Sequence, residues 1–217
     1  MEPKGALFDM DGTLVDSMWV WDKILSDFLV ENGLPLDDGF ADDVAHMSPQ
    51  ISSVYARERY QLPQSSQEIY QRWMEQASLA YKEQVLMKPG AKEYLFHLKK
   101  SGVRMAVVTA CDPQLVRTCL TQNGVFELFD TIVYVDDVGK GKDFPDLYIE
   151  AMKRLGVKPQ NATLHEDILV GIRTASKLGL RTVAVEDEWQ ENKTLLQKEA
   201  DLYIRDFFEL LEGEKQC

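Results

Sequence analysis

An α/β fold, with a doubly wound parallel sheet and an all-helical segment inserted into it, is what this 217-residue sequence predicts. Three observations carry the prediction. Short apolar runs alternate with helical segments at roughly 30-residue intervals, the rhythm of parallel strands joined by helices. Residues 17–86 interrupt that rhythm, with helical spacing and no convincing strand. Polar and charged residues gather where the apolar runs end, the side of an open α/β sheet on which ligands bind.

The elements follow in order. Residues 4–9 read as a short buried strand carrying Ala6, Leu7 and Phe8. From Ser17 the period changes: Trp21, Ile24, Leu25, Phe28 and Leu29 fall on one helical face, and Gly33 is a C-terminal stop. Residues 40–85 continue as helix, broken near Pro49 and at 62–64, with Tyr70, Trp73, Met74, Ala77 and Tyr81 as a second stripe. Pro89 opens a helix closed by Gly102, and residues 103–109 (VRMAVVT) form the next strand. Asp112 and Pro113 are the N-cap and first residue of a helix whose face carries Val116, Cys119 and Leu120. Strand 131–135, helix 145–155, a strand from Ala162 into His165, Glu166 and Asp167, helix 171–178 and strand 181–185 complete the alternation, and the tail reads as a short strand and a last helix. This divides the chain into an α/β core, 1–16 plus 87–217, and a helical domain, 17–86.

With a net charge of −12 and a pI near 4.7, the chain is a poor partner for nucleic acid or an anionic membrane, since phosphates are repelled at long range. A phosphorylated ligand has to be drawn in by local features. Three cysteines (Cys111, Cys119, Cys217), with no C-x-x-C, give no disulfide framework. No basic and apolar leader opens the sequence, and no apolar run approaches the roughly 18 residues of a membrane helix. A cytoplasmic protein is expected, with a monomer as the default. His46, His97 and His165 lack metal-ligand spacing, and packing is the expected role of His165.

The strand ends hold the chemistry. The first ends in Asp9 and Asp11, followed by Gly12 and Thr13; the second in Thr109, Ala110 and Cys111; the segment after the third carries Lys140 and Lys142; the fourth ends in Glu166 and Asp167. Carboxylates at the end of a buried strand need a partner, and a divalent cation is a suitable one. Four carboxylates, a hydroxyl and one or two lysines form a complete set for phosphoryl transfer. A nucleophilic cysteine is the rival at Cys111, but no histidine lies near it in sequence. The Gly-Lys-Gly-Lys run at 139–142 is not a nucleotide-binding loop, because Asp143 stands where that loop needs Ser or Thr.

Asp9-Met10-Asp11-Gly12-Thr13 resembles the D-x-D-G-T nucleophile motif of the haloacid dehalogenase-like superfamily. Lys142-Asp143-Phe144-Pro145-Asp146 is similar to its K-x-x-P-D, and Glu166-Asp167 followed by Gly171-Ile172 to its E-D-S and G-I-x-A-A, with Ile168 in place of the serine. The likeness covers the whole sheet domain, and the helical insert resembles the small cap of the β-phosphoglucomutase-like branch. It implies that Asp9 is the nucleophile, forming an aspartyl-phosphate, and Asp11 the general acid and base. Dehalogenase members lack the second Asp, so Asp11 points to phosphoryl chemistry. Thr109 and the Ala110 amide would bind a phosphate oxygen, and Lys142 would neutralise charge. Mg²⁺ would be held by the Asp9 and Asp167 side chains and the Asp11 backbone carbonyl, with Glu166 as an outer or secondary ligand. Trp21 would stack on a substrate ring, or pack within the cap. The segment Ala45-His46-Met47-Ser48-Pro49 lacks the arginine–glycine signature of the mutases. The expectation is a Mg²⁺-dependent phosphatase of small phosphorylated metabolites (sugar phosphate or nucleotide-like), with a phosphomutase as the alternative and a non-catalytic regulator as a third reading.

Overall fold

The computed structural model describes residues 4–36, 38–44, 47–190 and 192–213. His46 and Cys217 lie outside them. The chain opens with β1 (Gly5–Phe8) and then builds four consecutive helices, α1 (Met18–Glu31), α2 (Asp38–Val44), α3 (Pro49–Tyr60) and α4 (Ser66–Glu83). It returns through α5 (Ala91–Lys100), β2 (Arg104–Thr109), α6 (Pro113–Gln122), β3 (Thr131–Tyr134), α7 (Val135–Val138) and α8 (Asp146–Leu155). It ends with β4 (Ala162–Glu166), α9 (Leu169–Leu178), β5 (Arg181–Val185), α10 (Lys193–Glu199), β6 (Leu202–Ile204) and α11 (Phe208–Gly213). No helix among the described residues is long and apolar enough to cross a membrane.

All the strand pairings are parallel, in the order β3-β2-β1-β4-β5-β6. The winding reverses at β1, and in such sheets the crevice at the carboxyl ends beside the reversal receives the ligand. Phe8 sits opposite both Val107 and His165. One residue further on, the Asp9 amide donates to the His165 carbonyl at 3.0 Å, so Asp9 emerges between the ends of β2 and β4. The strands read as apolar runs because both faces are buried. Ala6, Phe8, Met105 and Val107 pack into one hydrophobic cluster, while Leu7, Ala106, Val108 and Leu164 pack on the other face against Leu147, Tyr148 and Ala151 of α8.

The first cluster runs without a break into the helical insert, where Phe28, Phe40, Trp73 and Tyr81 are buried. Two stretches of chain join insert and sheet, and they are laced together. Val15 bridges Met87, the Asp16 amide donates to the Leu86 carbonyl, and the Lys88 amide donates to the Leu14 carbonyl. Side chains add two further ties. Tyr70 donates to Asp112 at 2.6 Å, and Ser48 donates to Asp136 at 2.6 Å.

Element by element, sequence and structure agree with local differences. Gly90 with a φ of +76°, rather than Pro89, is the N-cap of α5, and Phe208 packs where a Cβ at Gly90 would stand. Val135 leaves the predicted third strand to begin α7, whose first turn is closed by the Asp137 carboxylate on the Tyr134 amide at 3.3 Å. Helix α9 starts at Leu169, two residues early, and α10 occupies a stretch for which the sequence predicted no element. Asp112 caps α6 as expected, accepting from the Gln114 amide at 2.8 Å.

Among the buried polar residues of this framework are His165 and the pair Lys88 and Asp187. His165 packs as expected: its ring stacks on Phe8 at 4.3 Å, meets Tyr94 and Phe207, and places Nδ1 3.3 Å from the Leu7 carbonyl oxygen. Burial pushes its pKa down to about 3, so it is neutral in the fold. Lys88 (8% exposed) reaches Asp187 (3% exposed) at 2.7 Å and the Glu186 carbonyl at 2.6 Å, tying the chain that leaves the insert to the segment after β5.

Two stability predictions follow. Because the unfolded chain binds a proton at His165 near pH 6.5 that the fold refuses until about pH 3, this residue withdraws stability as pH falls through that window. His165→Phe keeps the aromatic stack and should flatten the acid limb of a urea-denaturation pH profile relative to wild type; an unchanged limb would show the ring protonates within the fold. Lys88→Met leaves Asp187 buried and unpaired and should cost about 3–5 kcal/mol in the same measurement, part of it recovered in Lys88→Met/Asp187→Leu.

Candidate active site

The site begins with the turn after β1. Amides of Thr13, Leu14 and Val15 all converge on the Met10 carbonyl, and the Gly12 amide donates to the Val15 carbonyl. These bonds leave the Asp11 carbonyl oxygen without a hydrogen bond among the described residues. Gly12 has a φ of +75°, which favours glycine, and a Cβ there would collide with Asp167 Oδ2. The motif glycine thus lets the first and fourth strand ends approach. Thr13 completes the junction by donating to Asp167 Oδ1 at 2.9 Å, with Asp9 Oδ2 at 3.4 Å.

Lys142 arrives from the turn between α7 and α8. Its ammonium lies 2.6 Å from Asp9 Oδ1 and 2.9 Å from Glu166 Oε2, and all three groups are buried. Lys140 instead pairs with Asp146 at the surface. Glu166 Oε1 also accepts from the amides of Asp167 and Ile168, at 3.1 and 3.3 Å. The Ile168 backbone therefore orients the acidic pair although its side chain carries no hydroxyl. Gly171 of α9 leaves room for Glu166, whose Oε2 lies 2.7 Å from where a Cβ would be.

Oxygens of Asp9, Glu166 and Asp167 lie within 4.8 Å of one another. Three acids face one lysine, and Glu166 and Asp167 record the imbalance. Burial, then Glu166 and Asp9, push the Asp167 carboxyl well above the usual range. Burial and Asp9 raise Glu166 to about 7 against the pull of Lys142. Burial works against the Lys142 ammonium, but Asp9 and Glu166 outweigh it and hold its pKa well above the ordinary value. A buried oxygen-only set with surplus negative charge fits a hard divalent cation. Glu166, already engaged by Lys142 and two amides, fits the outer place expected for it.

Asp11 points elsewhere. Its Oδ1 accepts from Ser17 at 2.6 Å and from the Tyr81 hydroxyl, which in turn accepts from the Trp21 indole at 2.7 Å. Burial raises its pKa, the two hydroxyls opposing, which favours the protonated form a general acid needs. Thr109 is buried and its hydroxyl oxygen accepts from the Cys111 amide at 3.0 Å. The Cys111 thiol is pushed well up by burial and then by Asp11, the opposite of what a nucleophilic thiolate requires.

Asp9, Asp11, Trp21, Thr109, Ala110, Lys142 and Asp167 all line one cavity of about 590 Å³, while Glu166 stands behind it. Sequence reasoning gave no role to Tyr81, which looks like one more member of a helical stripe, to the Thr13 hydroxyl, or to Gln190. The Gln190 amide donates to the carbonyls of Asp167 and Val185, at 2.6 and 2.7 Å, and fixes the chain at the acidic pair. The threonine could have been found from its motif; nothing in the sequence marks the glutamine.

Comparison with known proteins agrees with this geometry. A bifunctional riboflavin kinase/FMN phosphatase from Arabidopsis thaliana is 29% identical over 180 residues, 82% of this chain, which spans only 47% of that protein. Validoxylamine A 7'-phosphate phosphatase from Streptomyces hygroscopicus subsp. limoneus is 28% identical over 213 residues, 95% of either chain. The crystal structure of CbbY from Rhodobacter sphaeroides in complex with phosphate gives a TM-score of 0.82 at 24% identity, covering 96% of either chain, a likeness of fold. The family model described as haloacid dehalogenase-like hydrolase matches residues 6–185, a span that holds every acid and the lysine of the cluster, and the chain belongs to that family.

Proposed function

We propose that this phosphatase hydrolyses small phosphomonoesters in two steps, with Asp9 as nucleophile and Asp11 as proton carrier. The observation that carries the reading is the division of the two acids. Asp9 is bound to Lys142 at 2.6 Å inside the acidic cluster, while Asp11 is held apart by hydroxyls with its pKa raised. A carboxylate oxygen of Asp9 attacks phosphorus, the bond to the leaving oxygen breaks, and Asp11 gives that oxygen a proton. Water then attacks the aspartyl-phosphate, and Asp11 takes the proton back. Lys142 offsets the charge on Asp9 and the transferring oxygens, and Thr109 and the Ala110 amide receive a non-transferring oxygen. Asp9, Asp167 and the Asp11 carbonyl would hold Mg²⁺, with Glu166 behind; bound there, the ion supplies charge neutralisation at the phosphoryl group.

Residues 17–86 serve as a cap over a core of 1–16 and 87–217. The buried free cysteines Cys111 and Cys119 suit a reducing, cytoplasmic setting, and a monomer holds the complete site. A phosphomutase needs a place for a second phosphate. Lys142 is the one basic side chain lining the cavity among the described residues, which favours the phosphatase; Ala45 and His46 of the mutase-signature segment lie outside those residues.

Asp9→Asn should lower kcat by about 10³-fold or more on p-nitrophenyl phosphate, and near-wild-type turnover would remove Asp9 from the nucleophile role. Asp11→Asn should lose about 10²–10⁴-fold on an alkyl phosphate, whose leaving oxygen needs a proton. With p-nitrophenyl phosphate the same variant should release a burst of p-nitrophenolate and accumulate phosphoenzyme, since that leaving group departs unprotonated. EDTA should abolish turnover and Mg²⁺ restore it; activity that survives thorough chelation would sink the metal assignment.

A further inference from the structure

We infer that the leaving alcohol of this phosphatase is uncharged and carries a planar heterocycle, as a nucleoside does, and that Trp189 is the residue that stacks on it. The inference rests on the phosphatase reading above and narrows it. The wall that the helical insert presents to the cavity is apolar and aromatic, with Trp21, Leu25, Met47 and Trp73. The ionisable groups on that wall among the described residues are Asp22 and Asp42, both acidic and both exposed. Asp187, on the opposite wall, is already paired with Lys88. A second phosphate or a carboxylate on the leaving group would meet acids and no free cation, an arrangement that rejects it. A polyol has no flat π face to lay against this wall.

Trp189 adds the residue-level argument. It lies on the segment after β5, lines the cavity, and is 47% exposed. Among the described residues it belongs to no hydrophobic cluster, stacks on no ring, and its indole N–H has no partner. Its backbone, in contrast, is pinned. Its amide donates to Asp187 Oδ1 at 2.9 Å, Asp187 is fixed by Lys88, and the next residue is the Gln190 clamp on Asp167. A large aromatic surface, about half of it open to solvent, is thus held at the cavity. Trp21 differs: its N–H is taken by Tyr81, whose ring also packs against it, so it forms fixed wall. An indole face favours a flat π system. Asp22 and Asp42 offer acceptors to the N–H and O–H groups of such a ligand, and a cavity of about 590 Å³ is of a size that takes a small-molecule ligand.

The test compares kcat/KM, with Mg²⁺ saturating, for acetyl phosphate, uridine and adenosine 5′-monophosphates, glucose 6-phosphate and fructose 1,6-bisphosphate. At least one nucleotide should exceed glucose 6-phosphate by about 10-fold or more, with the bisphosphate slowest. Trp189→Ala should collapse the nucleotide-to-glucose ratio about 10-fold, through KM rather than kcat, and Trp189→Phe should retain most of it. Equal or better use of glucose 6-phosphate or the bisphosphate, or a ratio unmoved in Trp189→Ala, overturns the inference while acetyl phosphate hydrolysis leaves the phosphatase reading standing. Failure to hydrolyse any of the five, acetyl phosphate included, overturns both.

Discussion

Three carboxylates crowded against one ammonium, out of water, is the constraint on which the rest of the structure depends. At separations within 4.8 Å and an effective dielectric constant of about 20, each pair of charged acids repels by roughly 3 kcal/mol or more. Lys142 compensates for one charge, and burial disfavours the rest, which is why Asp167 and Glu166 titrate high. A protein could relieve the strain by spreading the acids. This one holds them close with Thr13 between Asp9 and Asp167, two backbone amides on Glu166, and glycines at 12 and 171 where any side chain would push the strand ends apart. The crowding is maintained, not tolerated, and its surplus negative charge fits a divalent cation.

The parallel sheet does the gathering. Asp9 and Asp167 are 158 positions apart, yet β1 and β4 are adjacent and in register, so their carboxyl ends emerge together. Lys142 comes from the crossover after β3, two strands away, and reaches Asp9 because the short α7 turns the chain inward right after the strand. The apolar faces that hold the strands have no polar role themselves. Where a polar ring is admitted among them, at His165, the surroundings force it neutral.

This explains what was legible in the sequence. Asp9, Asp11, Glu166 and Asp167 could be read because each sits at or just past the end of a strand, and strand ends are visible as breaks in apolar runs; Lys142 is told from Lys140 by its resemblance to the family motif. The parallel sheet follows from the same alternation; the order of its strands does not. Tyr81 was hidden: its position on α4 fits a core stripe, and its ring does pack in the core, so only its hydroxyl betrays a second role. Helix α10 was hidden because it buries a single leucine, Leu196, and lacks a capping side chain. Lys88, Asp187, Trp189 and Gln190 lie in connecting segments, where periodicity carries no information and contacts depend on how distant segments meet. Val135 misled in the opposite way, as a β-branched residue at the end of a β-branched run that nonetheless starts a helical turn.

Asp11, the proposed proton carrier, is held by the same helical layer that lines the cavity. Oδ1 of Asp11 accepts from Tyr81 on α4, Tyr81 accepts from Trp21 on α1, and both helices line the cavity through Trp21, Leu25 and Trp73. A hydroxyl pair on Oδ1 stabilises the carboxylate, while burial stabilises the carboxylic acid, and the net shift of the pKa is upward. Proton transfer to an alcohol therefore depends on contacts made outside the sheet. Asp9 is anchored instead by Lys142 and Thr13. The two acids are thus held by different parts of the structure, Asp9 by the sheet-end cluster and Asp11 by hydroxyls of the helical insert and its junction.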